Sequence, residues 1–101
     1  MTTETKVDTV TKISEALPPN LWKVIFVNDD HTPMEFVIGL LITIFRHSED
    51  SAGQLTLEIH NTGSATVGLY TYEIAEQKAI DATNISRQNN FPLQIRVEED
   101  N

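Results

Sequence analysis

The segment TPMEFVIGLLITIF, residues 32–45, constrains this chain more than any other stretch. A helix is expected from Thr32: its hydroxyl is placed to cap, Pro33 suits the first helical position, and Glu35 completes a T-x-x-E capping box. Yet Met34, Phe36, Val37, Ile38, Leu40, Leu41, Ile42, Ile44 and Phe45 make this helix apolar nearly all round, far beyond the single stripe of a surface helix. It must be covered on two sides or line a pocket. Just before it, LWKVIFV (residues 21–27) reads as a strand with Trp22, Val24 and Phe26 on one face, and the acidic link NDDH joins the two.

The remaining elements follow from punctuation and period. Ser48 is placed to cap a second helix, with Glu49 and Asp50 favouring its N-terminal dipole and Gly63 marking its end. SATVGLYTY, from Ser64, reads as a second strand weakened at Gly68. Thr71 is placed to cap a third helix across YEIAEQKAIDATNISRQ, whose narrow apolar stripe is Ile74, Ala75, Lys78, Ala79, Ala82 and Ile85. FPLQIRV closes the chain as a strand, with Pro92 at its beginning or on an edge. The expected order is β-α-α-β-α-β, an α+β two-layer fold in which helices cover one small sheet.

The chain has 101 residues, enough for one core and too few for two. Residues 1–19 lack a sustained pattern and end in Pro18-Pro19, so they are expected to be a flexible N-terminal tail ahead of a core domain at 20–99. With 15 acids against 7 bases, the formal charge of −8 disfavours nucleic acid and favours basic partners or cationic ligands. The absence of cysteine removes disulfides, thiolate nucleophiles and thiolate metal sites. No apolar run spans a bilayer and the N-terminus does not read as a secretory signal, so a cytoplasmic location is expected.

Asn28, Asp29 and Asp30 admit three readings. They form a turn, because Asn and Asp hydrogen-bond their own backbone; or their carboxylates and amide carbonyl hold an ammonium; or they hold a metal. The metal is disfavoured, since NDDH lacks the glycine and terminal Glu of an EF-hand loop. His60 shares a helix face with Thr56 and sits near the helix end, where a surface role is the ordinary one. Asp29 or Asp30 with His60 could serve acid-base chemistry, but there is no G-x-S-x-G, H-E-x-x-H or phosphate loop. No enzyme activity, cofactor or metal is expected.

Four blocks in order, VNDDHTPMEFV, the H-x-x-G at His60 to Gly63, GLYTYEIAEQKA and FPLQIRVEE, strongly resemble the ClpS adaptor family, with a match running without gap from about Pro19 to Glu99. The resemblance implies a ClpS-like two-layer sandwich, a three-stranded antiparallel sheet with three helices. It implies a monomeric adaptor that binds proteins with destabilising N-terminal residues (Leu, Phe, Tyr, Trp) and delivers them to the ClpA or ClpC unfoldase for degradation by ClpP. By the same resemblance Asn28, Asp29 and His60 bind the substrate's α-amino group. Asp30, Thr32, Met34, Val37, Ile38, Thr56, Ile59 and Leu93 form the side-chain pocket, and Glu73, Glu76 and Lys78 belong to the unfoldase interface.

Thr56 departs from the family pattern, in which bacterial relatives commonly carry a Met that gates the pocket against β-branched residues. Either neighbours refill the space and selectivity survives, or selectivity is altered, with tolerance of Ile or Val. Three alternatives predict otherwise. A paralogue that docks without delivering a substrate would regulate the unfoldase, a ribosome-stalk-like domain of the same fold would show a basic surface, and a hydrolase on Asp29 and His60 would turn over substrate alone.

Overall fold

The structure, a computed structural model, describes residues 20–100. The expected tail at 1–19 therefore lies outside the described residues. Six elements follow in the expected order: β1 (Trp22–Val27), α1 (Met34–Thr43), α2 (Glu49–Thr62), β2 (Ser64–Tyr70), α3 (Tyr72–Gln88) and β3 (Gln94–Glu99). The sheet order is β2-β1-β3, antiparallel throughout, so β1 is paired along both edges.

Alternation along β1 sends Val24 and Phe26 to one face, where Val24 lies opposite Val97 and Phe26 opposite Ile95. All three helices bury their apolar residues in the same core: Val37, Leu40 and Leu41 of α1, Ala52 and Ile59 of α2, and Ala75, Ala79 and Ala82 of α3. The opposite face carries Lys23 beside Leu69 and Glu98, and Ile25 beside Thr66 and Arg96. In β2 the register slips between Val24 and Ile25, which pair with Gly68 and Thr66, so Val67 is an inserted residue. Ala65 and Val67, two apart in the strand, both point into the core. Gly68 beside Val67 is required by packing, because the Tyr70 ring occupies the space a Cβ would take.

The over-apolar α1 is covered on several sides. Val37, Leu40 and Leu41 face the core, Ile38, Ile42 and Ile44 are half-buried, and Phe36 meets Phe91 edge to face with centroids 4.8 Å apart. Its start differs from the expected capping box. The helix begins at Met34 with Pro33 as N-cap and no side-chain cap, and Pro33 O accepts from Phe36 N at 3.1 Å and Val37 N at 3.2 Å. Thr32 does not cap because its hydroxyl is donated to Asp29 instead. The C-terminus also comes early, at Thr43, with Arg46 taking φ 61° in the turn that follows.

Helix α2 has the expected ends. The Ser48 hydroxyl accepts from Ser51 N at 3.1 Å, and Gly63 closes it at φ 100°, a left-handed value that only glycine adopts freely. Thr71 is the N-cap of α3 but makes no side-chain cap bond. The stripe of α3 is also corrected: Ile74 is 50% exposed, and the buried row is Ala75, Ala79, Ala82 and Ser86. Alanines at this spacing bring α3 close to the sheet, and Ser86 is tolerated there because its hydroxyl donates to Ala82 O at 2.8 Å.

Lys78 ties two helices together. Its Nζ donates to Ile44 O at 2.7 Å and lies 5.3 Å from the Tyr70 ring centre and 5.9 Å from that of Phe45. On the outer edge of β2, His47 Nε2 lies 2.7 Å from Val67 O. A carbonyl only accepts, so this nitrogen carries a proton, and the Ser51 hydroxyl lies 3.1 Å from Nδ1 on the other side of the ring. No helix among the described residues is long and apolar enough to cross a membrane.

Candidate functional site

Strand pairing gathers the candidate residues at one end of the sheet. Val27 pairs with Ser64 on one side and Gln94 on the other, so β1 delivers Asn28 and Asp29 between the end of α2 and Leu93. Asn28 N donates to Gly63 O at 2.9 Å, which fixes this exit against the last turn of α2, the turn carrying His60. Helices α1 and α2 pack together, α1 contributing Met34, Val37 and Ile38 from its first turns and α2 contributing Thr56 and Ile59.

Asp29 builds the link into α1. Its Oδ1 accepts from His31 N at 2.7 Å and Thr32 N at 2.8 Å, while its Oδ2 accepts from the Thr32 hydroxyl at 2.8 Å. The turn reading of NDDH is thus realised on Asp29. Partial burial by itself would raise the carboxyl, but the bonds from the His31 N–H and from the Thr32 hydroxyl and N–H, with the His31 ring charge, hold it below its ordinary value. The group is therefore ionised at neutral pH. A carboxylate offers about four lone-pair directions, so with three taken one remains for a further donor.

The proposed pocket residues divide by burial. Val37, Thr56, Ile59 and Leu93 are at most 5% exposed and belong to packed interior, whereas Met34 is 40% exposed and Thr32 and Ile38 are half-buried. Asn28, Asp30 and His60 are exposed at the rim. The Thr56 hydroxyl donates to Ala52 O at 2.8 Å, one turn back in its own helix, so Thr56 adds no unpaired polar atom to the wall. Among the described residues no three His, Asp or Glu side chains cluster to hold a metal ion.

The partner candidates lie at the start of α3, away from this site. Glu73 and Glu76 are exposed, Glu76 accepting from the Tyr72 hydroxyl at 3.1 Å, which raises the Tyr72 pKa. Lys78 is half-buried and spends its ammonium inside the molecule. Two clefts lie elsewhere, one of about 390 Å³ between α2 and the edge of β2 and one of about 420 Å³ beside Trp22 and Tyr72. Sequence reasoning found neither; the alternation of Trp22 and the offset of Tyr72 from the α3 stripe were the signal for the second.

Residues 17–96 match the family described as ATP-dependent Clp protease adaptor protein ClpS. The ClpS of Treponema denticola is 46% identical over 90 residues, covering 88% of this chain and 89% of that protein. A ClpS of Campylobacter jejuni is 48% identical over 93 residues, covering 89% of this chain and 91% of its own. The solved structure of Agrobacterium tumefaciens ClpS2 bound to L-phenylalaninamide superposes with a TM-score of 0.79 at 41% identity, covering 82% of this chain and 100% of that one. With the sheet order, the helix arrangement and these blocks in agreement, the chain belongs to the ClpS family of ATP-dependent Clp protease adaptors, a family of adaptors and not of enzymes.

Proposed function

We propose that this chain captures proteins with a destabilising N-terminal residue (Leu, Phe, Tyr or Trp) in the cytoplasm and delivers them to a ClpA or ClpC unfoldase for degradation by ClpP. The observation that carries this reading is the ligand of the Agrobacterium ClpS2, L-phenylalaninamide, which has a free α-amino group, an aromatic side chain and a blocked carboxyl, as a protein N-terminus does. Asn28, Asp29 and His60 hold the α-ammonium. An ionised Asp29 supplies charge and its spare lone pair, and the Asn28 carbonyl and a His60 ring nitrogen supply acceptors. An acylated terminus lacks both the charge and the donors, so the site reads a free chain end.

The first side chain enters between α1 and α2, against Met34, Val37, Ile38, Thr56, Ile59 and Leu93, with Asp30 and Thr32 at the mouth. The exposed Met34 is the wall element with freedom to move. Burying a Leu or Phe side chain there contributes about 1.5–3 kcal/mol, enough to separate bulky apolar ends from small ones. Thr56, short and with its hydroxyl already satisfied, favours a second, narrower reading in which Ile or Val termini are also accepted. The unfoldase docks on the start of α3 through Glu73 and Glu76, with Lys78 supporting that helix from beneath.

A fluorescence titration with peptides differing only in the first residue, free or N-acetylated, tests the reading. Tight binding of free Phe and Leu termini with loss on acetylation is expected. Equal binding of free and acetylated peptides would remove α-ammonium capture.

A further inference from the structure

The cleft of about 420 Å³ at the start of α3 is lined by Asn20, Trp22, Thr71, Tyr72 and Glu73. Its apolar surface is aromatic. Trp22 and Tyr72 meet edge to face at 4.8 Å and 66°, and Tyr72 is 44% exposed. The surroundings are acidic: Glu73 lines the cleft, Glu76 accepts from the Tyr72 hydroxyl, and Glu99 accepts from the Asn20 side-chain amide. Among the described residues the recorded ion pair is Arg96 with Glu98, and none of Glu73, Glu76 and Glu99 has a cation within 4.0 Å.

Six residues along α3, the same molecule uses such rings for a cation, since Lys78 Nζ lies over Tyr70 and Phe45 and donates to a carbonyl. The Trp22–Tyr72 cleft has the rings and the acceptors, and among the described residues no cation pairs with its Glu73. The positive end of the α3 dipole opposes a cation here, and Glu73 in the first turn with Glu76 one turn on outweighs it, two full charges against about half of one.

We propose that this cleft receives an arginine side chain from the docking domain of the Clp unfoldase, the guanidinium lying against the Tyr72 and Trp22 rings and bonding Glu73. Arginine fits better than lysine because its planar, weakly hydrated head stacks on a ring while its N–H groups still reach a carboxylate. The chain's −8 charge favours a basic partner, and Glu73 and Glu76 place negative charge at this face. The inference rests on the reading of α3 as the docking face and adds the aromatic pair, and the chemistry of the partner's contact, to it.

The test measures affinity of the full chain for the unfoldase hexamer by fluorescence anisotropy, with peptide binding as the control for folding and capture. Tyr72→Phe keeps the ring and should bind within about twofold of the parent. Tyr72→Leu should bind about fivefold or more weakly while its peptide affinity stays unchanged. An unfoldase arginine changed to alanine should then show no additional loss with Tyr72→Leu, the mark of a shared contact. If Tyr72→Leu binds like the parent while Glu73→Gln weakens binding, docking on α3 stands and the arginine cleft is overturned. If neither substitution changes affinity, the docking reading falls and takes the cleft with it. Additive losses with every unfoldase arginine also overturn the proposal.

Discussion

Asp29→Asn separates the turn that this carboxylate builds from the ammonium capture proposed for it. In the folded chain this group accepts from His31 N–H, Thr32 N–H and the Thr32 hydroxyl, at 2.7, 2.8 and 2.8 Å. The Asn carbonyl oxygen can keep both N–H bonds, and the Thr32 hydroxyl can rotate to accept from the new amide, so the geometry survives and only charge assistance is lost. Hydrogen bonds to an ionised group are roughly twice as strong as neutral ones. With a net worth of about 1 kcal/mol per ordinary bond, and a discount for a half-exposed turn, the stability loss is about 1 kcal/mol, or roughly 4–8 °C in Tm for a domain of this size. Asp29→Ala removes every acceptor and should cost about 2 kcal/mol. On the proposed capture mode ligand binding responds more strongly, because the α-ammonium loses the carboxylate placed to pair with it: about 1.5–3 kcal/mol, a fall of ten- to a hundredfold in affinity for a Phe-terminated peptide.

The pH dependence distinguishes this account from a merely steric one. The Asp29 pKa is lowered in the folded state below its unfolded value of about 3.9, so its stabilisation is fully present above that value and is lost as pH falls through the lowered one. The gap in stability between parent and Asp29→Asn should therefore be constant from neutral pH down to about 5, and should close only in acid stronger than the ordinary carboxylate range. Thermal melts across pH and anisotropy titrations at pH 7 measure both effects. Equal melting temperatures and peptide affinities within twofold would refute the assignment of Asp29 to turn and ligand alike.

Other substitutions probe the remaining parts. Lys78→Met leaves the Ile44 carbonyl without its donor and removes the cation from two rings, so urea denaturation should reveal a loss of about 1–2 kcal/mol; unchanged stability would mean that the ammonium is not held inside. Thr56→Met forces bulk into a wall that is 4% exposed, and peptide titrations should record a greater fall for Ile and Val termini than for Phe and Leu. Gly68→Ala should displace the Tyr70 ring and lower stability by about 1–3 kcal/mol, with a changed near-ultraviolet tyrosine signal as its marker.

Much of the fold was legible because local signals and long-range needs agree. Ser48 and Gly63 bound α2 as written, and the excess of apolar residues in α1 demanded cover on two sides or a pocket, of which the core packing supplies the cover. The misreadings fall where side chains choose between partners. Thr32 could cap a helix or answer Asp29, and only the folded turn decides for Asp29. Ile74 fits the helical period of α3, yet a helix that meets the sheet through alanines has no room for it, and Ser86 fills the row instead. For the candidate site, the residue types were readable but their convergence was not. It depends on Val27 standing between Ser64 and Gln94, and on the Ser64 side that register follows from a bulge at Val67, of which the weakening at Gly68 is the only local sign.

The His47 contact with Val67 O has a consequence for the company this protein keeps. An adaptor that hands chains to an unfoldase works among extended, unfolded polypeptides, and a bare sheet edge is a template on which such chains pair and aggregate. On the outer edge of β2 an imidazole occupies the bulged carbonyl of Val67, steadied by Ser51 on the neighbouring helix. The other edge strand, β3, carries Arg96, Glu98 and Glu99 and is preceded by Pro92. With one edge carbonyl engaged and charged side chains along the other edge strand, the sheet offers a passing extended chain fewer free groups to pair with.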